Sequence, residues 1–345
     1  MKNRIRWGFI GCGSVTEVKS GPAYQQTDGF EVVAVMRRDV AKAEDYARRH
    51  GIPGVYDTAQ ALIEAESVDA VYIATPPDTH FEYGMAVARA GKICCIEKPI
   101  TSRYQQARAL CEAFEARDVP LFVAYYRRSL PRFLQVREWL QQQRIGQVRH
   151  LDWELMRQPN RFDVSGDPNW RTDPAVAPGG YFEDIGSHGL DLFCYLLGDI
   201  EQVAGFSVNQ QGRYSARDAF TASWLHRCPQ TGGAVTGSGR WNFGCSEYRD
   251  QVSIFGSEGT IRFSVLGESP VELECGDARI VKNIEHPAHI QQCHVESMRA
   301  HLMGDRQHPS TGRSAAHTTW VMEQIVQDSG GSCWHSGEAT EQNSH

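Results

Sequence analysis

The 345-residue sequence has no apolar run near the ~18 residues a helix needs to cross a bilayer. It has no basic excess. Lys and Arg total 35 against 42 Asp and Glu, a net charge of -7, so the electrostatic signature of a nucleic-acid binder is missing. Its ten cysteines contain no C-x-x-C pair, which excludes a zinc knuckle or a redox dithiol of the usual spacing. The opening "MKNRIRWGFIGCG" is basic and then briefly apolar. With so short an apolar run and no small-residue cleavage site, it is read as a first strand rather than an export signal, and a cytoplasmic protein is expected. There is no internal repeat. Length suggests about two domains.

What is there begins with alternation. Over residues 1–125, strand patterns ("IRWGFIG", "FEVVAVM", "VDAVYIAT", "KICCIEKP", "VPLFVAYY") alternate with helical ones, the mark of a parallel sheet with crossover helices. Gly51 is expected to end a helix, Asp39 and Asp78 to start one each, and Pro22 to break the first. After residue 125 come a helix near "PRFLQVREWLQQ", a strand, a long polar loop and a further helix. A series of alternating strands from residue 201 to 276 predicts an antiparallel sheet, and two helices follow it. The expectation is a doubly wound α/β domain over 1–125, an α/β domain with a large, mostly antiparallel sheet over 126–328, and a polar tail over 329–345.

Gly11-x-Gly13 lies between the first strand and the first helix. Glycines there let the backbone approach a pyrophosphate, and the helix start, with Ser14 and Val15, offers free N–H groups. The third motif position is Thr16 rather than Gly or Ala, so the motif is incomplete. A dinucleotide reader for NAD(H) places an acid at the tip of the second strand. This sequence has Met36, Arg37 and Arg38 there, and guanidinium groups suit a 2′-phosphate. NADP(H) is therefore favoured, with NAD(H) left open. Lys98, in "IEKPI", falls at the carboxyl end of a strand, the edge where open parallel sheets bind ligands.

The stretch "GGYFEDIGSHGLD", residues 179 to 191, opens on a turn and continues as a helix. Helical spacing puts Asp184, His188, Asp191 and Tyr195 on one stripe. A solvated face is the plain reading. Against it, the stripe has no Lys, Arg or Glu, and Gly186 and Gly189 each cost about 1 kcal/mol relative to Ala. Close approach of a ligand is one reason to keep glycine there.

Together "GFIGCG", "VDAVYIATPPDTHFEYGMAVARAGK", "EKP", "NWRTDPAVAPGGYFEDIGSHGLD" and "VSIFGSEGTI" resemble the Gfo/Idh/MocA family of sugar and polyol oxidoreductases, over nearly the whole chain. The resemblance implies a Rossmann domain followed by a domain whose open sheet forms a homodimer or homotetramer. It matches Lys98 to the family's "EKP" lysine, with Glu97 beside it at the cofactor, and Asp184 and His188 to its D-x-G-x-H pattern. It places Thr75 and Pro76 near the nicotinamide, and Trp170 and Arg171 against the cofactor. Thr16 and "APGG" depart from the family pattern without removing a group the chemistry needs.

Hydride transfer to or from a carbinol carbon needs a group that moves the hydroxyl proton. His188 is expected as the acid/base, Asp184 as the group that orients it, and Lys98 as the electrostatic partner, with Lys98 as proton carrier the second choice. Tyr126 is a candidate substrate contact. Tyr125, Arg127 and Arg128 beside it read equally well as lining the substrate cleft or as core tyrosines with solvent-facing arginines. His286, His289, Cys293 and His294 do not share one helical face, and no metal is expected. The substrate is expected to be a sugar, keto-sugar or polyol, without nucleic acid or membrane partners. A dihydrodiol dehydrogenase, or a cofactor-binding regulator of the same fold, are the alternatives.

Overall fold

Apolar runs with both faces to cover form the first layer. β1 (Ile5–Ile10), β2 (Phe30–Met36), β3 (Gly54–Tyr56), β4 (Ala70–Ile73), β5 (Ile93–Ile96) and β6 (Leu121–Val123) make a parallel six-stranded sheet in the order β3-β2-β1-β4-β5-β6. α1 (Ser14–Val18), α2 (Gly21–Gln26), α3 (Val40–His50), α4 (Ala59–Glu64), α5 (His80–Arg89) and α6 (Tyr104–Glu115) connect the strands. The computed structural model describes residues 4–166, 169–177, 179–227 and 233–327. The expected tail at 329–345 lies outside them. Burial of β4 on both faces explains its continuous apolar sequence. Strand order reverses between β1 and β4, so a crevice opens above their carboxyl ends.

Local signals act as expected at several points. The Asp39 carboxylate caps α3 by accepting from the Lys42 N–H at 3.2 Å, and Gly51 ends that helix at φ 66°. The first helix ends at Val18, and Pro22 sits in the first turn of α2, where its missing N–H costs no helical bond. Asp78 is a correction. It sits inside a 3₁₀ turn, Pro77–Thr79, and α5 starts at His80 without a side-chain cap. The Thr79 hydroxyl instead ties back to Thr75 Oγ1 at 2.7 Å.

The second layer contains α7 (Pro131–Gln141), β7 (Val148–Met156), α8 (Arg161–Ser165) and α9 (Ser187–Leu197). β8 (Ile200–Val208), β9 (Ala219–Arg227), β10 (Ala234–Asn242), β11 (Arg249–Gly256), β12 (Gly259–Phe263), β13 (Val271–Cys275) and β14 (Ala278–Lys282) follow. With β7 they form an eight-stranded sheet in the order β14-β13-β12-β11-β7-β10-β9-β8, antiparallel except for β7 with β10. Alternation buries Phe220, Ala222 and Trp224 of β9 under the sheet and leaves the opposite side chains outward. Trp153 and Trp241 are fully buried and meet edge to face at 5.5 Å, with Phe193 of α9 on Trp153 at 5.5 Å. Each such ring contributes on the order of 1.5–3 kcal/mol or more through burial alone. α10 (Gln292–Met303) and α11 (Gly312–Val326) return to the first layer, where Val295, Met298, Ala315 and Ala316 join its cores.

Candidate active site

The turn after β1 is built by two glycines with different tasks. Gly11 has φ 93°, donates its N–H to the Met36 carbonyl at 2.9 Å, and leaves no room for a Cβ, which would sit 2.8 Å from the Ala74 backbone. Gly13 faces open space, with nothing within 4 Å of an added Cβ. Thr16, the departure at the third motif position, is fully buried and turns inward. Its hydroxyl donates to the Gly13 carbonyl at 2.8 Å, and its own carbonyl accepts from Tyr46 Oη at 3.0 Å, so it fastens the turn to α3. A groove of about 360 Å³ runs from Gly11 and Gly13 past Arg37 and Arg38 to Thr75 and Pro76. Arg37 donates from Nη1 to the Cys12 carbonyl at 3.1 Å, and Arg38 is exposed. The Asp39 carboxylate at the same tip is taken by Lys42.

The groove opens into a cleft of about 620 Å³ whose walls include Ser14, Val15, Glu97, Lys98, Trp170, Asp184 and His188. Every sequence-predicted site residue lines one or other of these two spaces. Glu97 is braced, accepting from Tyr72 Oη at 2.6 Å, Gln291 Nε2 at 2.7 Å and the Lys98 N–H at 3.2 Å. Buried His80, the first residue of α5, has ring nitrogens 2.8 Å from the Thr75 carbonyl and 2.9 Å from the Pro99 carbonyl. It ties together the two loops that carry Thr75 and Lys98. Trp170 and Arg171 share a 3₁₀ turn that Asn169 caps, and the guanidinium lies 4.2 Å from the Trp170 ring centre.

Lys98 and Asp184 meet across the cleft. Lys98 Nζ donates to Asp184 Oδ1 at 2.5 Å and to the Asp184 carbonyl at 2.6 Å. Arg171 Nε donates to the other carboxylate oxygen, Oδ2, at 2.5 Å. Burial alone would raise the Asp184 carboxyl, but the facing charges of Lys98 and Arg171 outweigh it and hold it well below the usual range. The neighbouring carboxylate, Glu183, takes no part. It turns away to the Gly179 N–H at 2.8 Å, and burial pushes it up to about 7.

This arrangement corrects the expected pairing of Asp184 with His188. Residues Phe182–Gly186 form a π-turn before α9, which breaks the 100° step on which the stripe was drawn. Both Asp184 oxygens then go to cations, and His188 Nδ1 finds no hydrogen-bond partner among the described residues. His188 is instead held by ring packing, edge to face with Tyr126 at 5.4 Å and Tyr125 at 6.3 Å. Burial first, then the charges of Arg127, Lys98 and Lys19, hold the imidazole well below its ordinary 6.5. Asp191 leaves the cleft altogether. Its carboxylate is fully buried and forked by Arg128, Nε to Oδ2 at 2.7 Å and Nη2 to Oδ1 at 2.8 Å.

The glycines of the stretch are corrected as well. A Cβ at Gly189 would lie 2.3 Å from the Trp153 ring, and one at Gly186 2.5 Å from Phe182. They make room for core aromatics, not for a ligand. Of the His286–His294 group, His289 Nδ1 lies 2.9 Å from the Val18 carbonyl and buried His294 packs on His308 at 4.7 Å. Lys19, Arg157, Tyr248 and Gln291 also line the cleft and were not foreseen. They come from four distant places in the chain, and no local pattern joins them.

A family model described as an oxidoreductase family with an NAD-binding Rossmann fold matches residues 5–125, and the GFO/IDH/MocA C-terminal domain model matches residues 133–262. Oxidoreductase P35 of Formosa agariphila is 36% identical over 324 residues, 94% of this chain and 98% of its own. Inositol 2-dehydrogenase of Rhizobium meliloti is 28% identical and covers 79% of each chain. Among solved structures, a 3-ketoreductase from Actinomadura kijaniata in complex with NADP and TDP-benzene superposes with a TM-score of 0.78 at 23% identity, covering 93% of this chain and 96% of its own.

Proposed function

The chain belongs to the Gfo/Idh/MocA family of NAD(P)-dependent oxidoreductases, and on that premise we propose how its cleft moves a proton during hydride transfer on a sugar, keto-sugar or polyol. When bound, the nicotinamide supplies or accepts the hydride. The chain fits such a group. Gly13 faces an open groove, Gly11 lets the backbone close under it, and Thr75, Pro76 and Glu97 lead from that groove to Lys98. In this reading residues 1–125 hold the cofactor and 126–328 hold substrate and subunit contacts.

One observation carries the reading of Lys98. An ammonium has three donors, and two are engaged by Asp184, which leaves one to turn to a substrate oxygen. Asp184, shared with Arg171, fixes where that donor sits. Lys98 stabilises negative charge as it develops on the substrate oxygen. His188, kept neutral, takes the hydroxyl proton on oxidation. Tyr126 packs on the imidazole and orients it in place of the expected carboxylate.

The pH profile follows from the sign of the shift. The His188 pKa is depressed below 6.5, so its basic form is fully present above that value and is lost only on acidification. Oxidative kcat/KM is expected to stay level from pH 6.5 upward and to fall at distinctly lower pH. A kcat/KM still climbing above pH 8 would remove His188 as the proton acceptor.

NADP(H) is the proposed preference, supported by Arg37 and Arg38 at the strand tip and by the engagement of Asp39 with Lys42. The test is an assay matrix of NAD and NADP in both redox states against polyols and keto-sugars. Turnover with NADP is expected, and Arg37→Ala with Arg38→Ala should raise its KM roughly 10- to 100-fold with a smaller effect on NAD. Cofactor binding without turnover on any member would point to a regulator. The reading extends to a homodimer or homotetramer through the outer sheet face, where Phe206, Val208 and Phe255 stand exposed. Sedimentation of the same preparation as a monomer would remove it. It also includes a cytoplasmic setting, in keeping with the eight described cysteines, all free thiols.

A further inference from the structure

The cleft carries more positive charge than hydride transfer uses. Lys19, Lys98, Arg127, Arg157 and Arg171 line it against two carboxylates, Glu97 and Asp184. Asp184 is committed to Lys98 and Arg171, and Glu97 to Tyr72, Gln291 and the Lys98 backbone. Among the described residues, neither Lys19 nor the two arginines Arg127 and Arg157 has an ion pair.

Arg127 is the more informative of the two. It sits in the 3₁₀ turn Tyr126–Ser129 and is only 6% exposed. Nε donates to the Val265 carbonyl at 2.8 Å, and the guanidinium lies over the Tyr126 ring at 4.9 Å. Nη1 is buried with no hydrogen-bond partner among the described residues, while the residue itself lines the cleft. A buried charged donor left unmatched is costly, and an incoming acceptor relieves it. The carboxylate next along the chain fold cannot serve. Asp250 already accepts from Trp153 Nε1 at 3.0 Å and from the N–H groups of Val265, Leu266 and Gly267 at 3.2, 2.6 and 3.2 Å. Arg157, just past the end of β7, lines the same cleft, and among the described residues its side chain has no ion pair. Tyr248 lies within electrostatic reach of both arginines.

We propose that Arg127 and Arg157 bind an anionic terminal group of the substrate, a carboxylate or a phosphate monoester, so that acidic sugars are taken in preference to neutral ones. This deepens the hydride-transfer reading and rests on it for the identity of the substrate as a sugar. The planar forks match either oxyanion, and an anion held there neutralises the cleft without drawing Asp184 from Lys98.

Calorimetry on the full chain, saturated with NADP+, compares D-glucose, D-glucuronate and D-glucose 6-phosphate. At least one anion is expected to bind roughly 10- to 100-fold tighter than glucose, and which one does so identifies the oxyanion. Arg127→Gln and Arg157→Gln should each cut that preference about 10-fold or more. Arg157 is partly exposed, so its variant tests the site even if the Arg127 variant folds poorly. Equal or weaker binding of both anions, no binding of either, or a preference unchanged in both variants overturns the proposal. The two readings fail separately. Turnover of neutral polyols with no anionic preference ends the anion site alone. Arginine-dependent anion binding, with no nicotinamide absorbance change on any substrate, ends the hydride-transfer reading alone.

Discussion

Lys98→Ala is expected to lower kcat by about 10²- to 10³-fold while the affinity for the nicotinamide dinucleotide changes by less than about threefold. The size follows from what the ammonium does in the cleft. It is the cation that reaches the Asp184 carbonyl and carboxylate together, and its third donor is the proposed contact to the reacting oxygen. Its removal takes away a contact that strengthens as charge develops, so the loss should fall on kcat rather than KM. Lys98→Arg should not rescue, because a guanidinium is a wide planar fork and Arg171 already holds the second Asp184 oxygen. His188→Ala should lose about 10²-fold or more by removing the proton acceptor. Steady-state kinetics with separately measured cofactor binding decides the matter. A Lys98→Ala enzyme keeping a third of the parent kcat would show that the ammonium is not needed for the chemistry.

The residues that could be read from the sequence are those whose job is visible locally. β4 and β5, and β1 apart from Arg6, are runs of apolar residues because both faces of the sheet are covered. Gly11 and Gly13 mark the turn because the backbone there needs φ 93° at one position and open space at the other. Lys98 is marked by its place at the end of β5. β3 escapes notice because three residues show no periodicity, and β14 because its two charges, Arg279 and Lys282, fall on opposite faces and leave no alternation.

Contacts across long separations were not legible. The ion pair of Lys98 with Asp184 spans 86 positions, and nothing near either residue signals the other. A regular helix drawn through Asp184 and His188 predicts a pair, and the π-turn at Phe182–Gly186 undoes it. That turn has no signature in composition, since Gly186 and Gly189 are accounted for by Phe182 and Trp153. The pattern identified the residues that converge but not who holds whom.

Asp191→Asn is expected to destabilise the fold by about 3–5 kcal/mol, the usual cost of removing one member of a buried ion pair. Asp191 lies on the same predicted stripe as Asp184 and His188, so the outcome separates a structural carboxylate from a catalytic one. Its environment points one way. The carboxylate is fully buried and the paired Arg128 is 6% exposed. Arg128 also donates from Nη1 to the Pro309 carbonyl at 2.9 Å, and Thr318 Oγ1 donates to Asp191 Oδ1 at 3.2 Å. The pair therefore joins α9 to the turn at 126–129 and to α11, and an amide cannot neutralise the guanidinium left behind. Replacing both partners with apolar residues, as in Arg128→Met with Asp191→Leu, should recover much of the loss, because no unmatched charge is then buried. Urea unfolding of the two variants against the parent measures both steps. A folded Asp191→Asn protein of parental stability but without turnover would instead return Asp191 to the chemistry of the cleft.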